Sequence, residues 1–362
     1  MIQKLLPIAA ALALLAALPA AAPAAAPSGF LGISPQSSPS EPDFELMERA
    51  ELDSVRLPLY WSAVESVSPF FREPDWDGFD HGVELAARHE MRVLPFVWGS
   101  PPWVLPEPRL EPVDTAGHRR AWASFLRRAV RRYGPNGIFW RENEDLPYQP
   151  IRKWEIWNEQ NIVTFGTADP ERFARLVQIS GRAVKGVDPG ANLILGGFFG
   201  RPLQVPPNVH AGRFLARLYR AGDVKRWFDG VGLHPYVARA SAISGQIRNL
   251  RRVMRAHNDA STRIYVTEMG WGSDSFESRW ERGLHGQAQE LDQALAMLTH
   301  YRRAWRIGGV WWFSWADANN ACQFCDSAGL LTEHREAKPS WYVFNAWSGG
   351  EADTVPRAAF GD

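Results

Sequence analysis

The chain has 362 residues, enough for a well-covered core and in a range where one α/β barrel is as compatible as two ordinary domains. Forty basic residues balance forty acidic ones, so no net field draws the molecule to nucleic acid or to an anionic membrane, and neither is expected as a partner. Two cysteines, Cys322 and Cys325, are too few for a four-ligand zinc site, and no H-E-x-x-H or Cys/His cluster supplies further ligands, so neither metal nor cofactor is expected.

The first residues place Lys4 ahead of an Ala/Leu run that ends near Leu18, followed by A-x-A sites at 20–22 and 24–26. This is the pattern of a secretory signal peptide over residues 1–26, with an uncleaved anchor as the alternative. The remainder, 27–362, is then expected to be exported, extracellular or periplasmic, as a soluble monomer. From residue 30 onward short apolar runs alternate with amphipathic ones, the βαβα signature of a parallel sheet covered by helices. The runs are FLGIS (30–34), SVRLPLYW (54–61), RVLPFVW (92–98), KWEIWNE (153–159), NLILGG (192–197), FDGVGLHPY (228–236), RIYVTEMG (263–270) and GGVWWFSW (308–315). Eight strands with intervening helices predict a closed (β/α)8 TIM barrel, and the missing G-x-G-x-x-G after the first strand argues against a dinucleotide-binding sheet.

Helical spacing recurs in the stretches at 75–90, 170–188, 211–222 and 287–305. The arginine-rich stretch 118–134 reads the same way, with Trp122, Phe125, Leu126, Ala129, Val130 and Tyr133 on one buried stripe and six arginines around it. In DWDGFD (75–80) a calcium loop lacks its twelfth-position acid, and Asp80 is expected to cap the following helix. A last helix is expected near 340, and little chain remains for a second domain. Cys322 and Cys325, in ACQFCD, are expected to form a small loop disulfide in an oxidising compartment, a redox C-x-x-C being the alternative.

Chemistry in such a barrel sits at the carboxyl ends of the strands. The fourth run ends in Asn158-Glu159 and the seventh in Glu268, on strands that face each other across the barrel mouth. Two carboxyls converging on a cleft suit glycosidic bond cleavage, one giving a proton to the leaving oxygen and the other staying ionised to attack or to activate water. Like charges at short range also separate the two proton affinities. Arg56 and the Tyr236 hydroxyl are placed to favour the charged form of Glu268, leaving Glu159 as proton donor, while Asn158 is placed to bond a sugar 2-hydroxyl. His234 belongs with this group, or is a satisfied core histidine. Glu155 lies within its strand and is expected to have a buried partner such as an arginine. Of 17 tryptophans, seven fall at or just past strand ends: Trp61, Trp98, Trp103, Trp271, Trp311, Trp312 and Trp315. Indoles pack on the C–H faces of sugar rings, and Trp315 is expected as a floor under the reacting sugar, with Trp98 also on the substrate side.

The motifs W-x-I-W-N-E (154–159), H-P-Y (234–236) and T-E-x-G-W (267–271), with a tryptophan on the eighth run, resemble glycoside hydrolase clan A, the retaining (β/α)8 glycosidases, and within it families 39 and 5. RYGPNGIFW, DPGANLILGG and KPSWYVFNAW extend the similarity over nearly all of residues 30–347. The resemblance implies double displacement on a carbohydrate, with Glu268 as nucleophile, Glu159 as acid and then base, and Asn158, Arg56, His234 and Tyr236 around the reacting sugar. Gln160 stands where proline commonly follows the Asn-Glu pair, and the chain has no room for the β-sandwich that family 39 members often append. Three alternatives remain open: a sugar-binding barrel without turnover, a transglycosylase using the same covalent intermediate, and a metal-dependent barrel hydrolase.

Overall fold

A computed structural model describes residues 25–202, 205–274, 278–320, 322 and 324–350. The expected leader lies outside these residues except for Ala25 and Ala26. Eight parallel strands close in sequence order: β1 (Leu31–Ile33), β2 (Ser54–Tyr60), β3 (Arg92–Trp98), β4 (Lys153–Ile156), β5 (Asn192–Phe199), β6 (Gly230–His234), β7 (Arg263–Met269) and β8 (Ile307–Trp312), with β1 bonded to both β2 and β8. The described residues thus form a single (β/α)8 barrel. Among the described residues the α-helices are α1 (Glu41–Arg49), α2 (Trp61–Val64), α3 (Asp77–Arg88), α4 (Ala116–Tyr133), α5 (Ile138–Glu142), α6 (Pro170–Lys185), α7 (Ala211–Arg220), α8 (Ile243–Ala256), α9 (Gly283–Tyr301) and α10 (Pro339–Ser348). None of them is long and apolar enough to cross a membrane.

The strands read as near-continuous apolar runs because both faces are covered, by helices outside and by packed side chains inside. One interior cluster joins Leu94, Ile194 and Tyr265 from β3, β5 and β7 with Trp311 from β8. The β1 position is Gly32, where a Cβ would lie 2.4 Å from Trp311 Nε1, so the indole of β8 fills the room that β1 leaves empty. On the outside, α4 buries the six residues of its predicted stripe. Asp80 does not cap a helix: α3 starts three residues earlier, at Asp77, and Asp80 in its first turn accepts from Arg132 Nε at 2.8 Å and the Tyr133 hydroxyl at 2.6 Å. This carboxylate ties α3 to α4. Helices α1, α2, α5 and α8 escape the pattern reading; α2 and α5 are only 4 and 5 residues long, and the buried set of α8 includes the polar Gln246 and Arg251, which blur its apolar stripe.

Two strands, β4 and β8, end three residues earlier than the apolar runs suggest. β4 stops at Ile156, and the backbone turns out of the sheet with Trp157 at φ 73° and Glu159 at φ 42°. Both lie in the left-handed region that L-residues seldom occupy, a conformation held here by the barrel around it. β8 stops at Trp312, three residues before Trp315.

Candidate active site

Arg56 organises the floor of the barrel mouth. Its guanidinium is buried and donates from Nε to Glu155 at 2.6 Å, from Nη1 to Glu268 at 2.6 Å and to Ser34 at 3.3 Å, and from Nη2 to Asn158 Oδ1 at 2.8 Å. Burial alone opposes its charge, and the carboxylates of Glu155 and Glu268 more than restore it. The fork reaches four partners at once, more than the three donors of a lysine could serve. Because Asn158 gives its oxygen to Arg56, its NH2 is the group left to face a ligand.

Glu268 also accepts from the Tyr236 hydroxyl, at 2.7 Å on Oε2. Burial and the carboxylates nearby push that phenol well up, so it stays a donor. Glu159 has different company: its Oε1 lies 2.8 Å from Nδ1 of His234, whose Nε2 is 3.1 Å from Thr267 Oγ1. Burial pushes His234 below the usual imidazole value despite Glu159, so the ring is neutral. Thr267 donates its single proton to Glu155, at 2.9 Å. Its oxygen therefore accepts from Nε2–H, the ring presents a bare Nδ1, and the proton between Nδ1 and Oε1 belongs to Glu159. Gly197 makes this stack possible, since a Cβ there would lie 1.9 Å from His234 Nε2.

Burial raises the proton affinity of both carboxyls. On Glu268 the Arg56 charge and the Tyr236 hydroxyl oppose it, whereas on Glu159 a donating or cationic His234 would be needed to oppose it, and the neutral ring with its bare Nδ1 does not. The proton of the pair therefore resides on Glu159. Glu159, His234 and Glu268 each bring an atom of a metal-ligand type within 4.8 Å of the others. Those atoms are already engaged with one another, with Arg56 and with Tyr236, and the guanidinium beside Glu268 repels a cation.

Above the pair opens a cavity of about 690 Å3. Glu159, Glu268, Arg56, Asn158, Trp98 and Tyr236 line it, as expected from their strand ends. Two expected site residues do not. His234 is fully buried beneath the carboxyls and reaches a ligand only through them. Trp315 is 2 % exposed, donates to Asp43 at 2.7 Å and packs edge-on to Trp341 of α10, so it joins α1, β8 and α10 outside the cavity. Phe313 occupies the cavity position after β8. Of the seven strand-end tryptophans Trp98 alone lines the cavity; the other aromatic walls are Tyr60, Phe96, Phe165, Phe199 and Phe324. Tyr60 and Phe96 lie within the second and third apolar runs, in alternation with Arg56 and Trp98, and were legible on that ground, whereas Phe165 and Phe324 sit on loops without a periodic signal. The Cys322–Cys325 disulfide is formed and stands in the cavity wall. Gln160 is buried and donates to the Gly196 carbonyl at 2.8 Å, tying the Glu159 loop to β5 in place of any contact with a ligand.

No protein-family model and no curated protein sequence matches the chain. Among solved structures it resembles a family 39 glycoside hydrolase from Bacteroides cellulosilyticus WH2, with TM-score 0.66 and 21% identity over 88% of this chain and 63% of that one. A monomeric beta-xylosidase from Caulobacter crescentus CB15 gives 0.63 and 17% over 89% and 68%. An exo-beta-1,4-mannosidase from Opitutaceae bacterium strain TAV5 gives 0.63 and 13% over 91% and 62%. At these identities the likeness is one of fold, to barrels that include families 39 and 5, and this chain spans less than two thirds of the family 39 hydrolase.

Proposed function

We propose that the chain is a retaining glycoside hydrolase that cleaves β-linked O-glycosides of an oligo- or polysaccharide by double displacement. The observation that carries this reading is the approach of Glu159 and Glu268, with one oxygen of each within 4.8 Å of the other. A retaining pair stands about 5–5.5 Å apart, whereas an inverting pair needs about 6.5–9.5 Å to admit a water between acid and base.

The Glu268 carboxylate attacks the anomeric carbon as the bond to the leaving oxygen breaks, and that oxygen takes the proton of Glu159. A water then enters, Glu159 now removes its proton, and the resulting hydroxide replaces Glu268 at the anomeric carbon. Asn158 offers its NH2 to the sugar 2-hydroxyl. Arg56 and Tyr236 hold the charge of Glu268 before attack and receive it again on release. Trp98, Tyr60 and the phenylalanine walls offer ring faces to sugar C–H groups. Export after removal of residues 1–26, and action as a monomer, belong to the same proposal.

A panel of aryl β-glycosides and soluble glycans tests it. The wild type is expected to hydrolyse at least one of them. Glu268→Gln abolishes that turnover while sugar binding persists, and Glu159→Gln lowers it ~10²–10⁴-fold where the leaving group needs a proton. Turnover that is undiminished in Glu268→Gln contradicts the reading.

A further inference from the structure

The even balance of charge over the whole chain conceals an uneven distribution. At the amino ends of the strands, opposite the cavity described above, Arg92, Lys153 and Arg263 open β3, β4 and β7. Together with Arg302, Arg303 and Arg306, from the turn between α9 and β8, they line a basin of about 530 Å3. Among the described residues one carboxylate pairs with these six cations, Asp53 at 3.5 Å from Arg92. Arg302 donates to the Thr299 carbonyl and Arg306 to that of Ser261, contacts that fix the side chains without neutralising them. Lys153 is half-buried, and burial first, then Arg92 and Arg263, push its amine below the ordinary lysine value. Such crowding of like charge costs stability unless an anion neutralises it.

A second observation also points to a ligand. A narrower recess of about 250 Å3 shares Arg92 and Lys153 with the basin and runs inward to Trp311. That indole is 4 % exposed and its Nε1 has no acceptor. A buried N–H without a partner is uncommon and calls for an acceptor. Guanidinium forks and an amine gathered on one concave surface match a multiply charged tetrahedral oxyanion better than a single carboxylate, and the indole N–H belongs to the adjoining recess. We propose that the amino-end basin is an oxyanion site that takes a phosphate group, borne by a soluble phosphate ester or by a lipid headgroup.

Thermal unfolding and titration calorimetry of the whole protein with inorganic phosphate, against chloride at equal ionic strength, test the site. Phosphate is expected to raise Tm saturably, and Lys153→Met and Arg303→Glu are each expected to weaken binding at least ~10-fold. Arg303 is exposed and Lys153→Met removes a repelled amine, so both variants should fold, which melting in chloride alone verifies. A response to phosphate no larger than that to chloride, or one undiminished in both variants, overturns the proposal. Sedimentation with phosphatidic acid or phosphatidylcholine vesicles separates the sources, the first presenting a phosphomonoester and the second a zwitterionic diester. Capture by phosphatidic acid that inorganic phosphate reverses and Arg303→Glu weakens supports the headgroup, and phosphate binding without such capture supports the soluble ester. Glycoside hydrolysis is expected to be unchanged in both variants, so this test stands or falls apart from the catalytic reading.

Discussion

Glu159 and Glu268 are the same side chain, and their neighbours give them different chemistry. Glu268 receives two donors, one of them a cation, whereas Glu159 meets a bare imidazole nitrogen whose tautomer is set two residues away by Thr267 and Glu155. Burial pushes the Glu159 carboxyl up, so its acid form extends above the usual glutamic range and activity falls as pH rises through that raised value. Thr267→Val removes the acceptor for Nε2–H and favours the tautomer that donates from Nδ1 to a charged Glu159. The alkaline limb of kcat/KM should then move to lower pH. Tyr236→Phe removes a donor from the Glu268 carboxylate, raises its proton affinity and should move the acidic limb to higher pH. Profiles of kcat/KM against pH for the two variants check both shifts, and limbs that stay in place in both contradict the assignment of acid and nucleophile.

At the scale of elements, Arg56 of β2 joins Glu155 of β4 and Glu268 of β7 to Ser34 and Asn158, just past the ends of β1 and β4. Arg56→Met strips the counter-charge from buried Glu155 and is expected to lower stability by ~3–5 kcal/mol, as breaking a buried ion pair does. Urea unfolding measures this, and a loss below ~1 kcal/mol would show that Glu155 is neutralised by other means. The pairing of Glu155 with an arginine was legible in the sequence, because a charge inside a buried strand requires a counter-charge. The fate of Trp315 was not: alternation along a strand predicts its facing only while the strand lasts, and β8 ends at Trp312. Asp80 misled for a related reason, since an acid near a helix start serves as a cap or as a partner for a neighbouring helix, and the sequence does not show which helix lies alongside.

At the scale of the molecule, the barrel was legible because eight apolar runs of strand length, each followed by amphipathic chain, leave few other closures. Convergence of Glu159 and Glu268 followed from that closure, which brings β4 and β7 to one mouth although 109 residues part the two acids in sequence. The charge at the opposite end was hidden for the complementary reason: Arg92, Lys153, Arg263 and Arg306 are scattered along the chain, and only closure gathers them. The two ends of one cylinder thus carry different chemistry, an aromatic cavity with paired carboxyls and a basin of cations. The most direct test of the paired carboxyls is incubation with activated 2-deoxy-2-fluoro-β-glycosides of several sugars, followed by peptide mass spectrometry. A fluoroglycosyl ester on Glu268, absent in Glu268→Gln, is the expected result. An ester on another residue, or turnover of these reagents through an inverted product with no adduct, would contradict it.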